Sequence, residues 1–223
     1  MSFPIYDYKK DIKNILVTAE IRSRFLHMKA EDNPENLFDK ANGHSHDVGY
    51  EIFLILQGKV KGLIDGKEGI LTKGQLCVAA PNETHAFEVI GDEDVIMYLS
   101  VTPHIQPTHT FYNSLGERKP HSFMPNSSYD LTDQLSMPFD KLLDNQVKST
   151  NRLVKKVNDF ELLQNNIKDI LEENYKDKIK NKKELSKLRN QLWDSMINIY
   201  IESMKLAEVW NELAPNISDE KGD

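Results

Sequence analysis

Residues 141–214 contain neither glycine nor proline, whereas the chain before them is punctuated by both at short intervals. Glycine and proline mark turns and end helices, so their distribution divides the chain into a segment free to run as long helices and one cut into short pieces. In the first of these the apolar residues return at helical spacing. One stripe runs Leu153, Val157, Phe160, Leu163, Ile167, Ile170 and Leu171, and a second runs Leu185, Leu188, Leu192, Met196, Ile199, Leu206, Val209 and Leu213. Residues 176–183 between them are mostly polar and lysine-rich. They read as the turn of a helical hairpin, the alternative being the solvated middle of one long helix. Trp193, Ile197, Tyr200, Met204 and Trp210 widen the second apolar face beyond the needs of one neighbour. The helices are therefore expected to pack against each other and also on a barrel or a second subunit.

The preceding residues break into β-rich runs at 15–18, 21–28, 50–57, 59–64, 75–80, 85–90 and 94–101, separated by Gly, Pro, Asn and Asp. Many short strands at such spacing indicate an antiparallel sandwich or barrel. Asp65-Gly66 supplies the positive φ angles of a tight hairpin turn. Residues 103–140 are irregular and rich in Pro, Ser and Asn, with weaker strand-like runs at 108–112 and 121–124. The expected organisation is a β-barrel domain over 1–125, a linker over 126–150, a helical extension over 151–214 and a frayed acidic tail over 215–223.

Charge narrows the partners. The net charge is −7, and the acidity lies in residues 1–143, so no basic stripe is available for a phosphate backbone. The alternating Lys176, Lys178, Lys180, Lys182 and Lys183 are interrupted by Asp177 and Asn181 and read as a solvated face. No run of about 18 apolar residues predicts a membrane span, and the N-terminus MSFPIYDYKK lacks the pattern of a secretory signal. With Cys77 as the single cysteine, read as a small buried hydrophobe, no internal disulfide can form. A cytoplasmic protein without nucleic-acid or membrane partners is the expectation.

The residues that carry chemistry lie in the stretch from Gly43 to Glu51. His44 and His46 stand two positions apart, which on a strand places both imidazoles on one face, and Glu51 follows five positions later. Imidazole nitrogens with one carboxylate suit divalent first-row metals and leave coordination positions open for water or substrate. The segment HSHDVGYEIFLILQG resembles the first motif of the cupin superfamily, and GQLCVAAPNETH resembles the second. The resemblance covers roughly residues 12–112. It implies a double-stranded β-helix barrel, jelly-roll-like, in which His44, His46, Glu51 and His85 bind one divalent metal. Fe, Mn, Ni, Cu or Zn would be the ion, with Fe(II) or Mn(II) favoured where oxygen is activated. Ala80 and Asn82 depart from the usual Pro and Gly of the second motif, although Asn tolerates positive φ nearly as Gly does.

Phe53 and Phe87 share the parity of Glu51 and His85 and are expected to form an apolar wall beside the metal. One of Met97 and Tyr98 should project into the barrel, with Tyr98 named as a substrate-pocket candidate. His27 is another, although either Arg22, Arg24 and Leu26 or Ser23, Phe25 and His27 could face inward. His104, His109 and His121 are assigned to the surface.

The resemblance implies a metal-dependent enzyme, dioxygenase chemistry on a small molecule being the leading reading. Glu51 could serve as a catalytic base, which would equally suit an isomerase, lyase or decarboxylase. A small-molecule-sensing barrel without catalysis, like those of transcription regulators, is the alternative. The C-terminal helices carry no net positive charge and no recognisable helix-turn-helix, which weakens it. A homodimer is the expected assembly.

Overall fold

The computed structural model describes residues 3–32 and 43–217. They divide into two compact units, residues 135–213 forming one and the remaining residues the other.

The larger unit consists of two five-stranded antiparallel sheets. The first has the order β1-β2-β9-β4-β7, built from β1 (Asn14–Val17), β2 (Arg22–Met28), β9 (Val95–Thr102), β4 (Tyr50–Gln57) and β7 (Leu76–Ala79). The second has the order β10-β3-β8-β5-β6, built from β10 (Thr110–Phe111), β3 (His44–Ser45), β8 (His85–Val89), β5 (Lys59–Ile64) and β6 (Lys67–Thr72). Alternation decides which side chains enter the space between the sheets. Along β4 the buried residues are Glu51, Phe53 and Ile55, and along β9 Val95, Met97 and Leu99 sit against them. With Val60, Ala79 and Val89 they form the core, each large side chain contributing about 1.5–3 kcal/mol through its burial.

The turns follow the sequence. Asp65 and Gly66 both adopt positive φ, 48° and 75°, as a two-residue hairpin turn requires, and β5 pairs with β6 in unbroken register from Lys59–Thr72 to Ile64–Lys67. Asn82 also sits at positive φ, 67°, so it fills the place that favours glycine in the second motif. Of the two weak runs, 108–112 provides β10, whereas 121–124 forms no strand.

The second unit is a helical hairpin. Helix α1 (Phe139–Lys176) and helix α2 (Lys182–Leu213) are joined by the short turn between them, settling the choice against one long helix. Pro138 occupies the N-cap position of α1, so helix begins at the first residue past the last proline of the linker segment. Residues 139–150, read from sequence as linker, are accordingly helical, and Leu142 and Ser149 are buried. The contact seam of α2 buries Leu188, Glu202, Ala207 and Leu213. Met196, placed on the inward stripe from sequence, is exposed, as are Val157 and Ile170 on α1. Glu202 is accommodated by Arg152 Nε at 3.1 Å and Lys205 Nζ at 2.8 Å. At the junction of the helical extension and the acidic tail, Ala214–Asn216 forms a 3-10 turn, and residues 218–223 of the tail lie outside the described residues. Among the described residues no helix is long and apolar enough to cross a membrane.

Candidate metal centre

Four side chains reach one point from both sheets. His44 on β3 and His85 on β8 are directly opposed partners in the second sheet, and Glu51 projects inward from β4 in the first. His46 enters from the residues just past β3. One ligand atom from each of His44, His46, Glu51 and His85 lies within 4.8 Å of the others, so the group can hold a metal ion. Glu51 Oε2 is the hub, 2.8 Å from His46 Nε2, 2.9 Å from His85 Nε2 and 3.9 Å from His44 Nε2. His44 Nε2 and His85 Nε2 are 3.2 Å apart.

The far sides of the rings set their tautomers. His46 Nδ1 donates to the Thr108 carbonyl and His85 Nδ1 donates to the Glu83 carbonyl at 3.1 Å. A carbonyl only accepts, so in each neutral ring the proton is on Nδ1 and the lone pair is on Nε2. Two such lone pairs and a carboxylate oxygen then face one another, an arrangement that a cation in their midst satisfies. Burial drives the His44 pKa down to about 2, helped by neighbouring His85 and His109, so this ring too is held neutral. Burial works against ionisation of Glu51, yet its contacts with His46 and His85 outweigh this and hold the carboxyl well below the usual range. The donor set therefore fits a divalent first-row metal.

A cavity of about 400 Å³ opens beside these residues. His44, Glu51 and His85 contribute to its wall together with Phe53, Phe87, Leu26, Met28, Met97 and Leu99. Phe53 and Phe87 pack against each other, ring centroids 4.4 Å apart, and the Phe53 ring lies 5.5 Å from that of His85. A Cβ at Gly62, opposite Phe87 in the sheet, would come within 2.9 Å of the Phe87 ring, so glycine there leaves the ring its place.

Two candidates fall elsewhere. His27 and Tyr98 take the opposite parity on β2 and β9: His27 Nε2 bonds Asp94 at 2.8 Å, and the Tyr98 hydroxyl bonds Ser23 at 3.0 Å. The inward face of β2 is the set Arg22, Arg24 and Leu26, and Met97 rather than Tyr98 enters from β9. Two histidines assigned to the surface lie elsewhere, His104 buried and His109 half-buried. His109 lines the cavity with its ring 4.6 Å from that of His44, and burial with the nearby charge of His46 and Arg22 pushes its pKa down to about 3. His104 is 2% exposed and its ring meets the edge of Tyr129 at 4.8 Å; burial and the neighbouring Arg22 take its pKa down to about 3. His121 is exposed.

The segment read as linker also supplies the site. The 3-10 turn Asn126–Tyr129 brings Ser128 and Tyr129 to the cavity, and the Tyr129 hydroxyl bonds Thr108 Oγ1 at 2.8 Å. Nothing periodic marks such a turn in the sequence. Cys77 is half-buried, and desolvation raises its thiol pKa to about 11, consistent with an inert small hydrophobe.

Residues 39–102 match the family described as Cupin domain. Among solved structures the chain is similar to an uncharacterized conserved protein with a double-stranded beta-helix domain from Klebsiella pneumoniae, at 18% identity and TM-score 0.38, over 44% of this chain and 84% of that one. It is similar to KdgF from Halomonas sp. at 16% identity and TM-score 0.36, over 43% of this chain and 79% of that one. A third likeness, at 15% identity and TM-score 0.31 over 38% of this chain and 20% of that one, is to salicylate 1,2-dioxygenase from Pseudoaminobacter salicylatoxidans. No curated protein matches the chain.

Proposed function

We propose that this cupin barrel with a C-terminal helical hairpin is a metal-dependent enzyme of oxidoreductase type, acting on a small molecule held beside His44, His46, Glu51 and His85. The observation that carries this reading is the convergence of three Nε2 atoms on Glu51 Oε2 at the wall of an otherwise largely apolar cavity. A divalent metal held there, Fe(II) or Mn(II) in preference to Zn, Ni or Cu, would supply Lewis acidity and redox capacity.

The chain's own residues do the remainder. Thr108 and Glu83 carbonyls fix the His46 and His85 rings with their donor lone pairs inward. Arg22 Nη2, 3.6 Å from Glu51 Oε1, occupies the carboxylate oxygen that does not face the histidines. Phe53, Phe87 and Met97 exclude water from the reacting molecule. Glu51 contributes to catalysis through its charge and ligation; a carboxyl held so far below its usual range has little affinity for a proton and is a poor base. The working assembly in this reading is a homodimer.

The test is metal analysis of protein purified without chelator, followed by oxygen-uptake assays with small organic acids and phenols after loading with Fe(II), Mn(II) or Zn(II). About one metal per chain and uptake with Fe(II) or Mn(II) that chelator abolishes are expected. Stoichiometric metal with ligand binding but no turnover would replace the enzyme by a sensing barrel, and failure to retain any metal would remove the metal centre.

A further inference from the structure

We propose that the cavity selects a small molecule bearing a carboxylate on an apolar body, and that Arg24 is the residue that recognises the acid. This deepens the metal-centre reading and rests on it for the second anchor of the ligand.

The alternation of β2 turns Arg22 and Arg24 into the cavity, where a core strand would ordinarily offer apolar side chains. Arg22 is 5% exposed and has its charge matched by Glu51. Among the described residues Arg24 forms no such ion pair. Its Nε is buried without a hydrogen-bond partner, and so is that of Arg22. The two carboxylates whose charge reaches Arg24 are Asp130 and Glu51. Asp130 Oδ2 already accepts from the Asn14 backbone N–H at 2.8 Å and Nδ2 at 2.9 Å, and Glu51 is shared by Arg22 and the histidines. Two guanidinium groups thus face Glu51, which is already engaged, and Asp130, which is exposed and bonded to Asn14; a divalent metal would leave the cavity with an excess of positive charge. Arg24 is half-buried, and a guanidinium turned into a cavity with its Nε unpaired is costly, so an anion completes the site.

The geometry of the donors chooses among anions. A guanidinium offers a planar fork that matches a carboxylate in two parallel hydrogen bonds. Phe53, Phe87, Leu26, Met28 and Leu99 around it suit an apolar body. The cavity, about 400 Å³, has the size of a small-molecule site.

The experiment titrates the full chain, loaded with Co(II) and assayed for metal, with phenylacetate, phenylacetamide and phenyl phosphate by calorimetry. Phenylacetate should bind at least about tenfold more tightly than phenylacetamide. Arg24→Gln should bring that ratio close to one without changing the cobalt content, and Arg24→Lys should retain part of it; if Arg24→Gln does not fold, Arg24→Lys carries the comparison. Equal binding of acid and amide, an unchanged ratio in the variants, preference for phenyl phosphate, or no binding of the acid at about 10 mM would each overturn the assignment. Repeating the titration on chelated protein separates the two readings. A chain that holds no cobalt yet still prefers the acid through Arg24 loses its metal centre and keeps its acid site, whereas a cobalt-loaded chain indifferent to charge does the reverse.

Discussion

His46 is constrained on both sides of its ring, by the Thr108 carbonyl at Nδ1 and by Glu51 at Nε2, and that double constraint is what the proposed role as a metal ligand requires. Replacing it with Ala should strip most of the metal, measured by elemental analysis, while circular dichroism still reports a folded barrel, because the core around Ile55, Val60 and Met97 does not include it. Unfolding together with metal loss would instead make the ion structural. His44, His46, Glu51 and His85 were legible because strand parity and motif spacing both point at them. Arg22, Arg24 and His109 were not: parity offers two faces for β2 without choosing, and His109 sits beside Pro107 where no period exists. His104 yields a prediction about acid. Its folded pKa, about 3, lies below the ordinary histidine value, so the unfolded chain takes up the proton first as pH falls. Stability is therefore complete above about pH 6.5 and is lost progressively below it, by up to about 2 kcal/mol from this residue at pH 5. The melting temperature should fall between pH 7 and pH 5, and in His104→Phe, which keeps a ring against Tyr129, the fall should be shallower. An identical pH slope in the variant would show that His104 is not buried neutral.

At the scale of elements, local chemistry decided what could be read. The Asp65-Gly66 hairpin was visible because a two-residue turn dictates its own dihedrals, and the structure shows both residues at positive φ. A Cβ at Gly66 would meet nothing within 4 Å, so Gly66→Ala should cost only the backbone strain, about 1 kcal/mol in chemical denaturation. Gly62 makes the opposite case within the adjoining strand. There the obstacle is the Phe87 ring at 2.9 Å, and Gly62→Ala should displace that ring into the cavity and weaken ligand binding more than it lowers stability. Equal affinity in the variant would mean that Phe87 does not shape the site. The helices were legible as elements and largely in their faces, Ile167, Leu188 and Leu213 of the stripes being buried, with exceptions. Apolar periodicity selected Met196, whereas the structure buries Glu202, a residue that a hydrophobic count discards but that Arg152 and Lys205 compensate.

For the whole molecule, the asymmetry between a segment rich in turn residues and one free of them foretold two bodies, a barrel and a helical pair. The boundary between them fell elsewhere than composition placed it, because Pro, Ser and Asn permit loop without requiring it and residues 126–129 close on the cavity instead. Each helix also keeps an apolar stripe outside the seam it shares with the other. Leu143, Val147, Val154 and Val157 are exposed along α1, and Trp193, Met196 and Tyr200 along α2, with Trp193 54% and Tyr200 52% exposed. Positions spaced by three, four and seven share one face of a helix, so these are contiguous surfaces rather than scattered residues. Contiguous apolar patches of more than a few hundred Å² are uncommon on monomers, and a second copy burying them would approach the roughly 800 Å² per partner of a stable interface. Light scattering behind size-exclusion chromatography should therefore return twice the mass of one chain at micromolar concentration. The double substitution Trp193→Glu with Tyr200→Glu should return a single chain whose metal content is unchanged, since both residues belong to the helical unit and the ligands to the barrel. A wild-type chain that is monomeric throughout this range would assign the stripes to some other cover and end the homodimer reading.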